Sequence, residues 1–222
     1  MTAQLPDLMP EQIEAMFTRS DGSYAFARWG RPVAPIVFGV EDETLKTVKG
    51  ALEAVMTLAG HQMAETDPEL GSNLMFFFFR EWDELLAVPD LDRLIPGLQP
   101  LVTRLKDADA SQYRAFRFDG QGAIQAAFVF LRMKGAMAQM PAETLALTQA
   151  VQAALMWGDG AFAEASPLAV IPETGATILR PEIAGVIAAA YDRMMPVAAE
   201  DKSHALRLFA RLQAPAAEQP QL

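Results

Sequence analysis

Cysteine is missing from this chain, and histidine occurs only at His61 and His204. The first absence excludes disulfides, thiolate zinc sites, iron–sulfur ligation and cysteine nucleophiles. The second all but removes any multi-histidine metal centre. Positive charge is scarce as well: 18 Lys and Arg face 28 Asp and Glu, for a net charge of −10. Phosphate backbones are met by basic surfaces, so nucleic acid is not an expected partner. The same sign opposes docking on anionic lipid. Long apolar runs are lacking too. Ile183 to Ala190 falls far below the ~18 residues that span a bilayer, so membrane insertion is not expected. The start, MTAQLPDLMPEQIEAMF, has neither a basic opening nor the apolar stretch of a signal peptide. A soluble, cytoplasmic protein is the expectation; a periplasmic one would follow only if a leader had been trimmed.

What is present is enough for a core. Of the 222 residues 51% are hydrophobic and 21% charged, which excludes global disorder. No repeat and no Gly- or Ser-rich linker divides the chain. One domain over residues 1–213 is expected, with a frayed tail at 214–222 (APAAEQPQL).

Pro10 suits the first position of a short helix running to Arg19, followed by the turn Ser20–Ser23 and an extended Tyr24–Trp29. Val33–Val40 reads as a strand, with Pro35 pointing to an edge or a bulge. Leu45, Val48, Leu52, Val55 and Met56 recur at helical spacing behind the acidic start Glu41–Glu43. Gly60 ends that helix, and His61–Glu65 reads as a short strand. The run Leu74–Phe79 (LMFFFF) reads as a strand buried on both faces. Acidic helical pieces follow at Glu81–Leu86 and Pro96–Lys106. Gln112–Asp119 and Ala123–Met133, joined by Gly120-Gln121-Gly122, form a hairpin signal. Helices over Pro141–Trp157, Arg180–Asp192 and Glu200–Leu212 close the chain. Strands early and helices late predict an α+β fold with a mixed β-sheet packed by helices.

The helix Pro141–Trp157 (PAETLALTQAVQAALMW) is apolar nearly all round, so it should be buried over most of its circumference. Thr144, Thr148 and Gln152 lie four residues apart on it, with Gln149 beside them. Uncharged polar groups on such a helix need backbone partners or a wet groove.

Thr148-Gln149-Ala150-Val151-Gln152, with Asp159 following, occupies the frame of the zincin active-site helix, where zincins carry His, Glu and His at the first, second and fifth positions. The stretch resembles the worn-down form of that helix in a family of uncharacterised bacterial proteins with a zincin-like, metalloprotease-like layout. Trp29-Gly30-Arg31-Pro32-Val33 is similar to that family's opening strand, Gly71-Ser72-Asn73 to the entry of a later one, and Ile187–Met195 to its closing helix. The resemblance implies a zincin-like layout over residues 28–195. It also implies a pseudoenzyme, because Thr148 and Gln152 are poor zinc ligands and Gln149 cannot take a proton from water. No metal, no cofactor and no catalytic residue is then expected. What remains is a groove lined by Thr148, Gln149, Gln152, Asp159 and Asn73 that holds a peptide or a protein partner without cutting it.

Other constellations are weaker. His61, Glu65, Asp67 and Glu69 lack the second His of a metal site. His204 reads as lying on the exposed side of the last helix. Glu81, Asp83 and Glu84 read as a solvated helix start. A metal-independent hydrolase using Asp159 ranks last, since nothing positions a second carboxylate. The main alternative is a carrier or sensor of a small apolar ligand, because the chain holds 12 Met and 13 Phe. Met133, Met137 and Met140 would share one helical face in such a pocket.

Overall fold

The computed structural model describes residues 8–213, so the expected tail at 214–222 lies outside the described residues. Its elements are α1 (Pro10–Met16), β1 (Phe26–Ala27), β2 (Pro35–Phe38), α2 (Asp42–Leu58), β3 (Leu74–Phe79), a 3-10 helix (Trp82–Ala87), α3 (Leu91–Leu94) and α4 (Leu98–Asp107). There follow β4 (Gln112–Phe118), β5 (Ile124–Arg132), α5 (Ala136–Gln139), α6 (Ala142–Ala154), β6 (Leu168–Val170), β7 (Thr177–Leu179), α7 (Pro181–Ala190), β8 (Ala198–Ala199) and α8 (Ser203–Gln213). The fold is α+β with a mixed sheet. Among the described residues, no helix is long and apolar enough to cross a membrane.

The main sheet has the order β2-β3-β5-β4. β2, β3 and β5 run parallel, and β4 returns antiparallel along β5 as the hairpin predicts. β3 lies inside the sheet, and its unbroken apolar run serves both faces. Leu74 and Phe76 enter one core, with Val48 and Leu52 of α2, Ala150 and Val151 of α6, and Val186 and Ile187 of α7. Phe77 and Phe79 enter the other, under Trp82, Leu85, Leu98 and Val102. Pro35 opens β2 at one edge, where a missing N–H costs no ladder bond. The other edge is β4.

Short pairings escaped the sequence reading. β6 and β7 form a two-stranded sheet, and β8 pairs antiparallel with β1. His61–Glu65 contributes only the bridge between Met63 and Val33. Met133, Met137 and Met140 do not share a helix, because α5 spans only Ala136–Gln139.

His204 is a correction. It is 2% exposed, not on the solvent face of α8. Its Nδ1 lies 2.8 Å from the Tyr24 hydroxyl, and its ring packs at 4.2 Å from the Phe26 ring. Its neighbours Ala205 and Leu208 are buried with it, so it belongs to the apolar stripe of the helix. Burial, reinforced by the Arg207 cation, pulls its pKa down to about 4. Between that value and ~6.5 the unfolded chain binds a proton that the native chain does not. The stability contribution is therefore whole above ~6.5 and is lost as pH falls toward 4. At pH 5 the loss is about 2 kcal/mol. Urea midpoints should fall from pH 7 to 4.5 more steeply in wild type than in His204→Gln. Equal slopes would contradict this account.

Candidate functional site

An α-helix leaves its last four carbonyls without intrahelical partners. At the end of α6 three are met by side chains from separate segments. The Trp29 indole donates to the Ala153 carbonyl at 2.9 Å, the Tyr191 hydroxyl to Ala154 at 2.7 Å, and the Trp157 indole to Val151 at 2.9 Å. These bonds fix where the helix stops and where the chain turns. Leu155 then bridges to Arg28, the Met156 amide donates to Ala27 and the Gly158 amide donates to Met16. Gly158 lies so close to the preceding segment that a Cβ there would stand 2.3 Å from the Thr18 carbonyl oxygen. Trp157 stacks on Phe17 with centroids 5.2 Å apart, and Asp159 accepts from the Ser20 amide at 3.0 Å and its hydroxyl at 2.9 Å.

Between this wall and β4 opens a cleft of about 690 Å³, within the usual range for ligand sites. Its floor is Arg114. Register along β4 sends Tyr113 and Ala115 toward the core under α4, and Gln112, Arg114 and Phe116 toward α6. There one guanidinium nitrogen of Arg114 donates to Gln112 Oε1 at 2.9 Å, to Gln149 Oε1 at 2.6 Å and to Gln152 Oε1. Gln149 Nε2 in turn donates to Gln112 Oε1 at 3.0 Å. The Arg114 Nε is buried without a partner. Burial pulls the Arg114 pKa down to about 10, so the guanidinium stays charged at neutral pH. Asp159 at the rim is lowered, first by the Ser20 backbone bond and then by the Ser20 hydroxyl, with Arg19 adding to them against burial. It is an acceptor at neutral pH, not an acid.

The expected groove residues separate. Gln152 and Asp159 line the cleft. Gln149 is 2% exposed and sits behind it, bonded to the same Arg114. The Thr148 hydroxyl turns back to the Thr144 carbonyl at 2.8 Å, and Thr144 meets Thr177 of β7 at 3.3 Å. The cleft therefore lies at the Gln152 end of the helix and does not extend along the whole stripe. Asn73 belongs to another cluster. It is fully buried, accepts from the Ala34 amide at 2.8 Å, and donates to Pro32 at 2.9 Å and Asp67 at 3.0 Å. His61 is likewise occupied, with Nε2 at 2.8 Å from the Arg31 carbonyl. Among the described residues, no three His, Asp or Glu side chains converge on one point that would hold a metal ion.

Arg114 and Gln112 are the residues the sequence reading missed. Their signal was the alternation of Gln112, Arg114 and Phe116 against Tyr113 and Ala115 in a strand whose partner, Ile124–Leu131, is almost wholly apolar. A Met- and Phe-bordered cavity is present in smaller form: about 230 Å³, bordered by Phe78, Met133, Met140, Val48 and Leu145, without Met137. No protein-family model, curated protein or solved structure matches this chain.

Proposed function

We propose that the protein is a non-catalytic binding domain of zincin-like layout that holds an extended peptide, or a segment of a protein partner, in the cleft between α6 and the free edge of β4. The observation that carries this reading is the pair of Gln149 and Gln152 amides turned onto a half-buried cation at the floor of an open cleft beside an edge strand. An edge strand offers unpaired N–H and C=O groups in a row, and an extended chain can pair with them. The order of elements supports the layout in part. A strand, a helix and one further strand, then three short helical segments, lead to a hairpin whose first strand is the antiparallel edge, and the frame helix follows on the same face as α2. In that frame Arg114 stands beside the positions where a zincin would carry its base and second ligand, which suits holding a ligand and not hydrolysing it.

A displayed library of random heptapeptides, fused at their carboxyl ends, tests the reading. Wild-type protein should retain a defined set. Gln152→Trp, which fills the cleft, should lose that set while melting within a few degrees of wild type. Retention of no peptide by wild type, or equal retention by a folded Gln152→Trp, would sink it.

The smaller cavity supports a second, lesser reading, a carrier of a small apolar ligand. At about 230 Å³ it falls below the ~300–1,000 Å³ of pockets that bury drug-sized ligands.

A further inference from the structure

We infer that the segment held in this cleft carries a carboxylate, and that Arg114 is the residue that recognises it. The inference rests on the peptide-binding reading and adds to it the chemistry of the ligand. A guanidinium keeps its charge in proteins, and a charge removed from water without an opposite charge is costly. Elsewhere this protein follows that rule. Arg31 meets Asp67 at 3.4 Å and Glu69 at 2.9 Å, and the largely buried Arg132 meets Asp109 at 2.6 Å. The half-buried Arg28 is an exception, resting on the Trp29 and Met195 carbonyls and over the Tyr191 ring. Like Arg28, Arg114 has no carboxylate partner, but Arg114 lines an open cleft. Among the described residues its partners are the neutral amides of Gln112, Gln149 and Gln152, crowded onto one nitrogen; its Nε has no partner, as is also true of Arg28 and Arg132.

Amides orient a guanidinium but do not neutralise it. What the arrangement lacks is an anion, and the open side of Arg114 is the cleft. A carboxylate carries the missing charge and accepts charge-assisted N–H bonds from a guanidinium, so it fits this vacancy in charge. Arg19 and the Asp159 carboxylate both line the same cleft and offset one another, so Arg114 is the cation there without a counter-charge, although the chain as a whole carries −10. The overall repulsion is screened beyond about 8 Å at physiological salt, whereas a pair at the cleft floor is screened much less.

The heptapeptides retained by wild-type protein give the test. Asp or Glu should be enriched at one position. In a synthetic peptide from that set, changing this acid to its amide should weaken binding at least tenfold to wild type and hardly at all to Arg114→Gln. Arg114→Lys, which keeps the charge without the fork, should lie between. Retained peptides with no acidic preference, or an equal loss in wild type and Arg114→Gln, would overturn the inference and leave the peptide reading standing. The preference in wild type can be read even if Arg114→Gln fails to fold. If no peptide is retained but millimolar glutarate raises the melting temperature of wild type and not of Arg114→Gln, carboxylate recognition holds for a free small acid and the peptide reading falls. With neither response, both fall.

Discussion

Trp29→Ala should lower folding stability by about 4 kcal/mol, the scale of a fully buried Trp truncation. The side chain is fully buried in the core between α2, α6 and the sheet, so its removal leaves a void bounded by several elements. It also strips the Ala153 carbonyl of its donor at the point where α6 must stop. Trp29→Phe separates the two effects. It keeps most of the volume and leaves the carbonyl unpaired, for a cost of about 1–3 kcal/mol. Urea unfolding of both variants checks this. A phenylalanine variant as stable as wild type would mean that the helix end is held without the indole. Because Met156, Trp157 and Asp159 follow directly, the folded alanine variant should also bind cleft ligands more weakly than its stability loss alone explains.

Asn73→Leu should cost about 3 kcal/mol, although the side chain is nearly the same size. It leaves the Ala34 amide, the Pro32 carbonyl and the Asp67 carboxylate each short of a partner, at ~1–3 kcal/mol for a buried polar group. Burial acts to raise the Asp67 pKa. The Leu70 and Glu69 amides, Asn73 and the Arg31 charge together outweigh it, so the carboxyl titrates below its ordinary range. A depressed folded pKa means stability that is present above the unfolded pKa and lost as pH falls through the folded one. Without Asn73 the folded pKa rises toward the unfolded one, so this pH-dependent contribution shrinks. The variant, less stable overall, should nonetheless unfold at a higher pH, which acid unfolding followed by circular dichroism would show. Retention of cleft peptides by the folded variant should not change. A variant as stable as wild type, or one selectively defective in peptide binding, would return Asn73 to the site.

The parts of the fold legible in the sequence were those where local chemistry and tertiary demand agree. Leu74–Phe79 is apolar at every position because both sheet faces are covered. Pro35 marks an edge, and Gly120-Gln121-Gly122 turns the hairpin. β6, β7 and β8 are too short to show a period, and their partners are supplied by packing. His204 was readable in principle, since it lies four residues before the buried Leu208, but a polar residue type outweighed the spacing. At the site, the sequence singled out Gln149 and Gln152 as polar groups on a buried helix. It could not show that Arg114, far along the chain, is what they face. Asn73 bonds two backbone groups and the Asp67 carboxylate, and nothing in residue identity distinguishes that task from lining a groove.

The wall of the cleft joins segments far apart in the chain: Ser20 to Asp159, 139 positions apart, with Phe17 on Trp157 and Met16 bonded to Gly158. The floor, by contrast, comes from a hairpin strand and the helix that follows it, which are near neighbours in sequence. Closing so long a loop carries an entropic cost before its contacts return any stability, so such pairings form late in folding. On the ribosome, α1 emerges before the other described elements and must wait for residue 159 before its contacts with this wall can form. A nascent or partly folded chain would thus hold the Arg114 floor with no wall opposite it, and the site would become competent only near the end of folding.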